Sequence, residues 1–266
     1  MKKENFIFRG IFKDRKLLYS LSKQDFKKRF AGSYFGIAWA FFQPALTILV
    51  YWFVFQFGFR SMDVGDKPYI LWFMCGIVPW LFISEAFSNA SNSFIEYSYL
   101  VKKVIFNIDI LPLVKIISSF YIHLFFIGVV ILICIILGYY PSFMIIQLLY
   151  YVFCTIVFVF AISLIFSSVM VFFRDLNQII NILLLIGMWG TPIAWNIEMF
   201  SYKVQFILKL NPVYYLVEGY RDSILNNVAF WDKPFLSLYF WIITLTLLYL
   251  GANIFKRLKM HFSDTL

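Results

Sequence analysis

The sequence predicts an all-α, polytopic membrane protein with six transmembrane helices, and composition and charge pattern are the basis of this fold class. Of the 266 residues, 62% are hydrophobic and 14% are charged, whereas soluble domains carry about 25% charged residues. Residues 116–173 contain no Asp, Glu, Lys or Arg. Since roughly 20 apolar residues cross a bilayer as a helix, this run is long enough for two spans. Residues 138–142, Gly-Tyr-Tyr-Pro-Ser, have the composition of the tight turn that would join them.

Six apolar stretches are close to the length that a helix needs to cross the hydrocarbon core. They comprise residues 34–59, 69–89, 116–137, 143–173, 179–195 and 235–255. A transmembrane domain is therefore predicted over residues 34–255. The three cysteines fall in apolar stretches, without CxxC spacing or a nearby metal partner. We interpret them as small buried hydrophobes and predict no metal site.

The N-terminal segment, residues 1–33, is predicted to lie in the cytoplasm and to contain an interfacial helix. Residues 11–30 alternate Leu and Phe with Lys. This pattern is typical of an amphipathic helix that lies along the inner membrane surface while its lysines reach the headgroups. A solvated cytoplasmic helix is the alternative.

The distribution of cations predicts that both termini lie in the cytoplasm. With six spans, one side receives the N-terminal segment, the segment between spans two and three, the turn after span four and the tail at 256–266. The cations on that side are the ten of the N-terminal segment and Lys102, Lys103, Lys115, Arg174, Lys256, Arg257 and Lys259. The opposite side carries six, and this asymmetry follows the positive-inside rule. Anionic lipids of the inner leaflet then account for the net charge of +9 without nucleic acid.

The connection between spans two and three, residues 92–115, is longer than a turn requires. It mixes aromatic and charged side chains, which suits a short helix docked on a partner protein. An ordinary interfacial loop is the alternative.

The connection between spans five and six, residues 196–234, is apolar for a loop. We expect two short external helices, broken at Asn211-Pro212, that dip back into the bilayer. Glu218 and Arg221 are three residues apart, so they can pair on one helix face. The adjacent Asp222 offers Arg221 a second partner.

Several motifs occur in a fixed order along nearly the whole chain. They are residues 29–39 (RFAGSYFGIAW) with Gln43-Pro44, residues 76–80 (GIVPW) with Glu85-Ala86, residues 100–106 (LVKKVIF) with 110–113 (ILPL), residues 173–176 (FRDL), Thr191-Pro192-Ile193, Asn211-Pro212 and Tyr220-Arg221. As an ordered set, these motifs resemble the ABC-2 type permeases that export polysaccharides. One departure is Asn107, because that family often has Pro after the phenylalanine of this loop.

The resemblance implies a homodimer of six-helix subunits with a separate ABC ATPase subunit docked on each cytoplasmic face. The two ATPase copies would bind ATP and magnesium. The chain itself has no GxxxxGK[ST] motif, so it would be a transport subunit without a cofactor and not an enzyme. The implied substrate is a lipid-linked polysaccharide of the O-antigen, capsule or teichoic-acid type, moved to the outer side of the bacterial cell membrane.

The resemblance also implies two functional segments: residues 92–115 would contain the helix that couples to the ATPase, and residues 196–234 would form the external gate. The residues expected to couple to the ATPase are Glu96, Tyr97, Leu100, Lys102, Lys103, Arg174 and Asp175. The residues expected at the gate are Thr191, Pro192, Asn211, Pro212, Glu218 and Arg221. A local ion pair at a helix end is the alternative for Arg174-Asp175.

Five residues are hypothesised to line the substrate conduit: Trp39, Phe42, Phe53, Phe57 and Glu85. The four aromatic residues recur at helical spacing on the first predicted span, and aromatic rings stack on sugars. Contact with lipid, or packing between helices, is the alternative for each of them. Glu85 is the only acidic residue between positions 66 and 96. An intramembrane carboxylate is usually functional or paired, and the alternative here is simple contact with headgroups.

His123 lies in the third predicted span. It would act as an acyl-transfer base, or it is a neutral histidine bonded to the backbone or to a serine; the absence of a partner acid or nucleophile motif favours the second reading. The alternative function for the chain is a membrane-embedded transferase acting on lipid-linked sugars, which would need convergent carboxylates or a His–acid pair. A channel or small-solute carrier would predict inverted repeats, and we find no convincing one.

Overall fold

The computed structural model describes residues 14–58, 63–102 and 108–266, apart from the side chains at positions 263 and 264. Within these ranges the regular secondary structure is helical, apart from one isolated β-bridge between Val64 and Lys67. The α-helices are α1 (Arg15–Arg29), α2 (Ala38–Phe53), α3 (Tyr69–Ser91), α4 (Ser93–Glu96), α5 (Ser98–Val101), α6 (Leu111–Ile136), α7 (Leu148–Met170), α8 (Leu176–Trp189), α9 (Tyr202–Lys209), α10 (Pro212–Arg221), α11 (Pro234–Leu258) and α12 (Phe262–Thr265).

Some helices continue as short π or 3-10 turns: Val54–Gly58 follows α2, Ile108–Ile110 precedes α6, Phe143–Gln147 precedes α7 and Asp222–Asn226 follows α10. The predicted interfacial segment, residues 11–30, is helical from Arg15. Its first three residues lie outside the described residues, as do Lys103 of the predicted coupling site and Asn107. The position of α1 at a membrane surface stays a prediction.

Five of the described helices are long and apolar enough to cross a membrane, which confirms a polytopic helical protein. They are Ala38–Gly58, Tyr69–Ser91, Ile108–Ile136, Phe143–Met170 and Pro234–His261. The fifth predicted span is represented by α8, whose 14 residues measure about 21 Å at 1.5 Å per residue. A hydrocarbon core is about 30 Å thick. The helix ends at Trp189 with Gly190 as its C-cap, and residues 191–195 of the predicted span are not helical.

The centre of the bundle is α3, because 78% of its most apolar stretch is buried. It packs against α6 and α7 along its length and against α10 near its beginning. In contrast, only 11% of α2 and 17% of α11 is buried. These two helices lie at the periphery, where apolar side chains would face lipid or a partner.

The charge-free run 116–173 forms the predicted hairpin. The first arm, α6, ends at Ile136, and Gly138 then adopts a left-handed φ of 81° that reverses the chain. The Ser142 hydroxyl accepts a hydrogen bond from the Met144 N–H at 3.1 Å, which begins the second arm. The first arm starts earlier than predicted, at Leu111, so Lys115 lies inside the helix and not in the connection before it.

The connection between α8 and α11 contains the two predicted short helices, α9 and α10, broken at Asn211-Pro212. The Asn211 side chain accepts a hydrogen bond from the Val213 N–H at 3.0 Å, and Pro212 occupies the first turn of α10, where its missing N–H costs nothing. Nearly all of α10 is buried, whereas α9 is largely exposed. How deeply these helices enter a bilayer stays a prediction.

The close packing of α10 on α7 depends on Gly219, because a Cβ atom there would overlap the buried ring of Tyr151. We expect Gly219→Ala to lower the free energy of unfolding by about 1–3 kcal/mol, as overpacked cores do. Gly128→Ala is the matched control, since no heavy atom lies within 4 Å of its Cβ position. Thermal unfolding in detergent checks the pair, and an equal effect of both substitutions would contradict the packing argument.

Candidate functional site

Two polar clusters lie at opposite ends of α3. The first, the Arg221 cluster, surrounds the beginning of α3 and is defined as Tyr69, Trp72, Gly76, Thr191, Ile193, Asn211, Glu218 and Arg221. The second, the Arg29 cluster, surrounds its end and is defined as Asp25, Arg29, Glu85, Glu96, Tyr97, Lys115, Ser118 and Ser119. Glu85 lies 13 residues after Trp72, which is about 20 Å along the helix axis.

Arg221 is the central residue of the Arg221 cluster, and it is 1% exposed. Its guanidinium pairs with Glu218 at 2.5 Å and donates to the backbone carbonyls of Ile193 at 2.9 Å and Trp72 at 3.3 Å. Its Cζ atom lies 3.6 Å from the centroid of the Trp72 ring, a cation–π arrangement. The predicted pairing of Glu218 with Arg221 is confirmed.

The sequence of α3 makes room for this guanidinium. Trp72 and Gly76 are one helical turn apart and therefore share a face. A Cβ atom at Gly76 would lie 2.7 Å from Arg221 Nη2. A glycine at this position, next to an aromatic ring one turn earlier, thus gives the guanidinium a flat, close-fitting site.

Other predicted gate residues lie beside Arg221. The Asn211 amide donates to the Thr191 hydroxyl at 2.8 Å, so the residue that caps α10 is tied to the segment after α8. Pro192 is buried in the same segment. The structure therefore brings four of the predicted gate residues into one cluster, with Pro192 and Pro212 next to members of it in the chain, although it does not test whether they open and close.

The expected second partner of Arg221 was wrong. Asp222 pairs instead with Lys233, at the beginning of α11, and accepts a hydrogen bond from the Asn226 amide at 3.2 Å. One residue along a helix rotates a side chain by about 100°. Asp222 therefore points away from the face that Arg221 and Glu218 share.

In the Arg29 cluster, Arg29 at the end of α1 forms an ion pair with Glu85 of α3. Arg29 Nη2 also donates to the hydroxyls of Ser118 at 3.2 Å and Ser119 at 3.3 Å on α6. This arrangement joins three helices. For Glu85 the alternatives were a functional or paired carboxylate and simple contact with headgroups. The structure shows a carboxylate that is paired within its own chain.

A buried lysine completes the cluster. Lys115 lies 2.7 Å from Asp25 of α1 and 2.5 Å from Glu96 of α4, and the Tyr97 hydroxyl donates to Asp25 at 2.7 Å. Burial alone would raise the pKa of Asp25, but the charge of Lys115 and these hydrogen bonds outweigh it, and the pKa is lowered. The pKa of Tyr97 is raised by burial and by its bond to the Asp25 carboxylate. Both shifts favour the ionised carboxylate that holds Lys115.

The predicted coupling residues separate into two groups. Glu96 and Tyr97 belong to the Arg29 cluster, and Leu100 is partly buried against a small apolar core. Lys102, Arg174 and Asp175 are exposed. Neither Arg174 nor Asp175 forms an ion pair within the described part of the chain, so the alternative of a local pair receives no support.

The segment after α3 is also fixed to the C-terminal part of the chain. Phe94 of α4 is fully buried and stacks on Phe255 of α11, with ring centroids 5.6 Å apart, and contacts Phe262 at 5.1 Å. The Asn92 amide donates to Asn177 of α8 at 3.3 Å. A displacement of α4 would therefore reach α6, α8 and α11 directly.

A cavity of about 400 Å³ opens beside the Arg29 cluster, between α2, α3 and α8. Of the predicted conduit residues, Trp39 and Glu85 line it, together with Gln43 and Asn89. The other three aromatic residues are exposed elsewhere, Phe42 and Phe53 on α2 and Phe57 in the π turn that follows it. The conduit residues are thus divided between this cavity and the outer surface of the bundle.

His123 is buried in α6, and its Nε2 atom lies 2.8 Å from the Tyr220 hydroxyl of α10. Its ring stacks on Phe82 of α3, with centroids 4.5 Å apart. The expectation of a backbone group or a serine holds in part, because the Val78 backbone interacts with the ring. The partner at Nε2 is a tyrosine from a segment about 100 residues later. A pairing so distant in sequence leaves no local pattern.

Sequence reasoning missed several residues that the structure brings into the two clusters. No role was predicted for Trp72. It lies four residues before Gly76, the first residue of the motif at 76–80, and this spacing was a usable signal of a shared helix face. Asp25 also went unnoticed, although a carboxylate four residues before Arg29 in a basic segment indicates an ion pair. Lys115 was counted among loop cations, and nothing local distinguishes it from them.

The comparisons with known proteins agree with this architecture. The model of the ABC-2 type transporter family matches residues 16–225. The chain is 28% identical over 254 residues to the O-antigen export system permease protein RfbA of Klebsiella pneumoniae, which covers 94% of this chain and 95% of that protein. It is 23% identical over 262 residues to the protein of the same name from Myxococcus xanthus, covering 98% and 99%.

The buried central helix and the paired charges at its ends define a multi-pass, all-helical membrane protein. Because the family model matches more than three-quarters of its length, the chain belongs to the ABC-2 type transporter family. The resemblance to ABC-2 permeases of polysaccharide export, drawn from the ordered motifs, is thereby confirmed.

For the Arg221 cluster we expect Arg221→Lys to destabilise the protein although it keeps the charge. An ammonium group cannot contact Glu218, two carbonyls and the Trp72 ring together. Each hydrogen bond lost from a charged group costs about 1.5–3 kcal/mol. Thermal unfolding measures the loss, with Arg257→Lys as an exposed control. Equal stability of Arg221→Lys and the unmodified protein would contradict the assigned geometry.

For the Arg29 cluster we expect Lys115→Met to lower the free energy of unfolding by up to about 3–5 kcal/mol, since it removes the nearest cation of the buried Asp25 and leaves it Arg29, whose Nη2 atom is 3.6 Å away. Adding Asp25→Asn removes that charge, so the double variant should be more stable than the sum of the single effects predicts. Lys27→Met, at an exposed position of α1, is the control. Strictly additive effects would mean that the two side chains do not depend on each other.

Proposed function

We propose that the chain is the membrane-spanning subunit of an ABC exporter that moves a lipid-linked polysaccharide from the cytoplasmic to the outer side of the bacterial cell membrane. The observation that carries this proposal is the similarity to O-antigen export permeases over nearly the full length of both chains. The polysaccharide is of the O-antigen, capsule or teichoic-acid type. A separate ABC ATPase binds ATP and magnesium and supplies the energy.

The contacts of α8 support six crossings of the membrane. At its beginning, Asn177 bonds to Asn92, just after the end of α3. After its end, the Ala194 carbonyl accepts a hydrogen bond from the Tyr69 hydroxyl at 2.8 Å, at the beginning of α3. Together, α8 and the residues that follow it thus run the length of α3. With six crossings, both termini and residues 92–115 share one side, and the positive-inside rule assigns that side to the cytoplasm.

Docking of two ATPase copies, one on each subunit of a homodimer, is supported by the surface around the Arg29 cluster. Lys102, Arg174 and Asp175 are exposed there and are available to a partner. Glu96 is half exposed and at the same time bonded to the buried Lys115. A partner that displaced α4 would therefore act on the centre of the bundle.

The conduit would form between two copies of the chain that face each other through α2 and α8. Both helices carry large exposed apolar side chains, such as Phe42 and Phe53 on α2 and Leu185 and Ile186 on α8. The cavity beside Trp39 lies between them and offers an aromatic ring with nearby amides. Sugar rings present apolar faces and hydroxyl groups, and such a lining suits both.

The external gate would be the Arg221 cluster with α9 and α10. Its interactions link α10 to the beginning of α3 and to the segment after α8. Outward passage of a polysaccharide requires that α10 move relative to α3. The paired Arg221 would keep this end closed until the ATPase acts.

The decisive experiment is co-purification of the chain with its ATPase, followed by ATP hydrolysis with defined lipid-linked glycans. We expect a complex whose hydrolysis is stimulated by the transported glycan. Exchanging the charges, with Arg174→Asp and Asp175→Arg together, should weaken ATPase binding, because both side chains are exposed and make no ion pair within the described residues.

Lys203→Glu is the matched control, because Lys203 is an exposed cation in α9, toward the proposed external end. It should leave ATPase binding unchanged. A complex that contains no ATPase would overturn the proposed function. Retained binding in the charge-exchanged variant would overturn only the assignment of Arg174 and Asp175.

A further inference from the structure

A second, smaller cavity lies between the two clusters. It measures about 10 Å³ and is enclosed by α3 and α6, with Pro44 of α2 also in its wall. This is about the space that one buried water requires. The wall is otherwise apolar, except for the side chains of Glu85, Ser119 and His123. A cavity of this size, with three polar side chains in a mainly apolar wall, suits a single polar occupant.

His123 supplies a polar atom that needs a partner at this place. The residue is 3% exposed, and its Nε2 atom is occupied by the Tyr220 hydroxyl. Its Nδ1 atom makes no hydrogen bond of normal geometry with any described protein atom. The Val78 backbone also interacts with the imidazole, but it makes no hydrogen bond of normal geometry with Nδ1. Buried polar atoms are rarely left unpaired, because desolvation without a hydrogen bond is costly.

Either tautomer of His123 leaves the same requirement. If the Tyr220 hydroxyl donates to Nε2, then Nδ1 carries a proton and needs an acceptor. If Nε2 donates to Tyr220, then Nδ1 needs a donor. A water molecule can donate or accept, so it suits both arrangements.

The other polar wall of the cavity has acceptor capacity to spare. The Glu85 carboxylate receives Arg29 and, at a long 3.4 Å, the Ser119 hydroxyl. An ionised carboxylate offers about four lone-pair positions. A water in the cavity can therefore donate to Glu85 while it pairs with His123.

We propose that this cavity binds one water molecule that bridges Glu85 and His123. The bridge completes a polar chain that runs from Arg29 through Glu85, the water and His123 to Tyr220. Tyr220 precedes Arg221 on α10, so the chain joins the Arg29 cluster to the Arg221 cluster along one side of α3.

This chain of hydrogen bonds links the Arg29 cluster to α10, the helix that carries Arg221. It crosses from α1 to α3, α6 and α10, and it passes through a part of the bundle that is otherwise apolar. A shift of α1 against α3 moves the Glu85 side chain, because Glu85 is paired with Arg29. This movement forms or breaks the water bridge and so changes the hydrogen bonds that hold Tyr220 of α10. That role in transport rests on the proposed function, whereas the water site itself does not.

The site is tested first by a high-resolution cryo-EM map of the complex. We expect density for a water within hydrogen-bond distance of both His123 Nδ1 and a Glu85 oxygen. In Val78→Ile, the added methyl group should fill the cavity and remove that density. A direct bond from Nδ1 to the Val78 carbonyl, without water density in the unmodified protein, would overturn the proposal.

The link is tested by a double-mutant cycle between Glu85→Gln and Tyr220→Phe, measured by thermal unfolding and by ATP-driven export. No hydrogen bond joins the two residues directly in the described structure, so any coupling between them is indirect, and the Val78→Ile background shows whether it passes through the bridge. We expect the export rate of the double variant to differ by about fivefold or more from the product of the single effects. A corresponding non-additive shift in the unfolding midpoint is expected.

The same cycle in the Val78→Ile background should become additive, because the bridging water is gone. If that background does not fold, His123→Phe removes the ring partner and should abolish the coupling in the same way. The control cycle pairs Glu85→Gln with Ser163→Ala, a buried hydroxyl on α7 outside the chain of bonds, and should be additive throughout.

The outcomes separate this inference from the proposed function. Coupling that persists in both backgrounds, or additive behaviour in the unmodified background, would overturn the bridge. If no export occurs at all, the proposed function fails, and the unfolding cycle still decides whether Glu85 and Tyr220 are linked.

Discussion

A helix that is buried on nearly every side tolerates a charge only where a counter-charge meets it. This constraint shapes the surroundings of α3, because an unpaired buried charge costs about 3–5 kcal/mol. Arg221 is neutralised by Glu218 at one end of α3, and Arg29 by Glu85 at the other. Each ion pair holds other segments of the chain against α3. The pair of Arg221 holds α10 and the residues after α8, and the pair of Arg29 holds α1 and α6. The positions of the short helices follow from these neutralisations.

The same constraint divides the bundle into a rigid part and a part whose apolar side chains are left exposed. The three helices α3, α6 and α7 pack on one another, and α3 carries polar contacts at both of its ends. In contrast, α2 and α8 keep large apolar side chains exposed in the described part of the chain. In an ABC-2 permease, the rigid part is suited to transmit a displacement, and the exposed helices are suited to face lipid or a second copy.

Particular elements show how far sequence reasoning reached. The hairpin of α6 and α7 was predictable because a long charge-free run and a glycine turn are local signals. The break between α9 and α10, and the pairing of Glu218 with Arg221, followed from Asn-Pro and from a spacing of three. The shortness of α8 was missed, because an apolar stretch does not reveal that Gly190 ends the helix. Lys115 was assigned to a loop, because its counter-charges come from helices distant in sequence.

By itself, the sequence determined that the chain is a polytopic helical membrane protein, which segments are helical, and to which family it belongs. These properties depend on composition, helical periodicity and ordered motifs, and each of them is local. Only the tertiary structure decided which charges meet, that Trp72 and Gly76 form the site of Arg221, and that Tyr220 reaches His123. The physical reason is that a buried polar group is satisfied by whatever partner folding brings within about 3 Å, and that partner leaves no mark at its own position in the sequence.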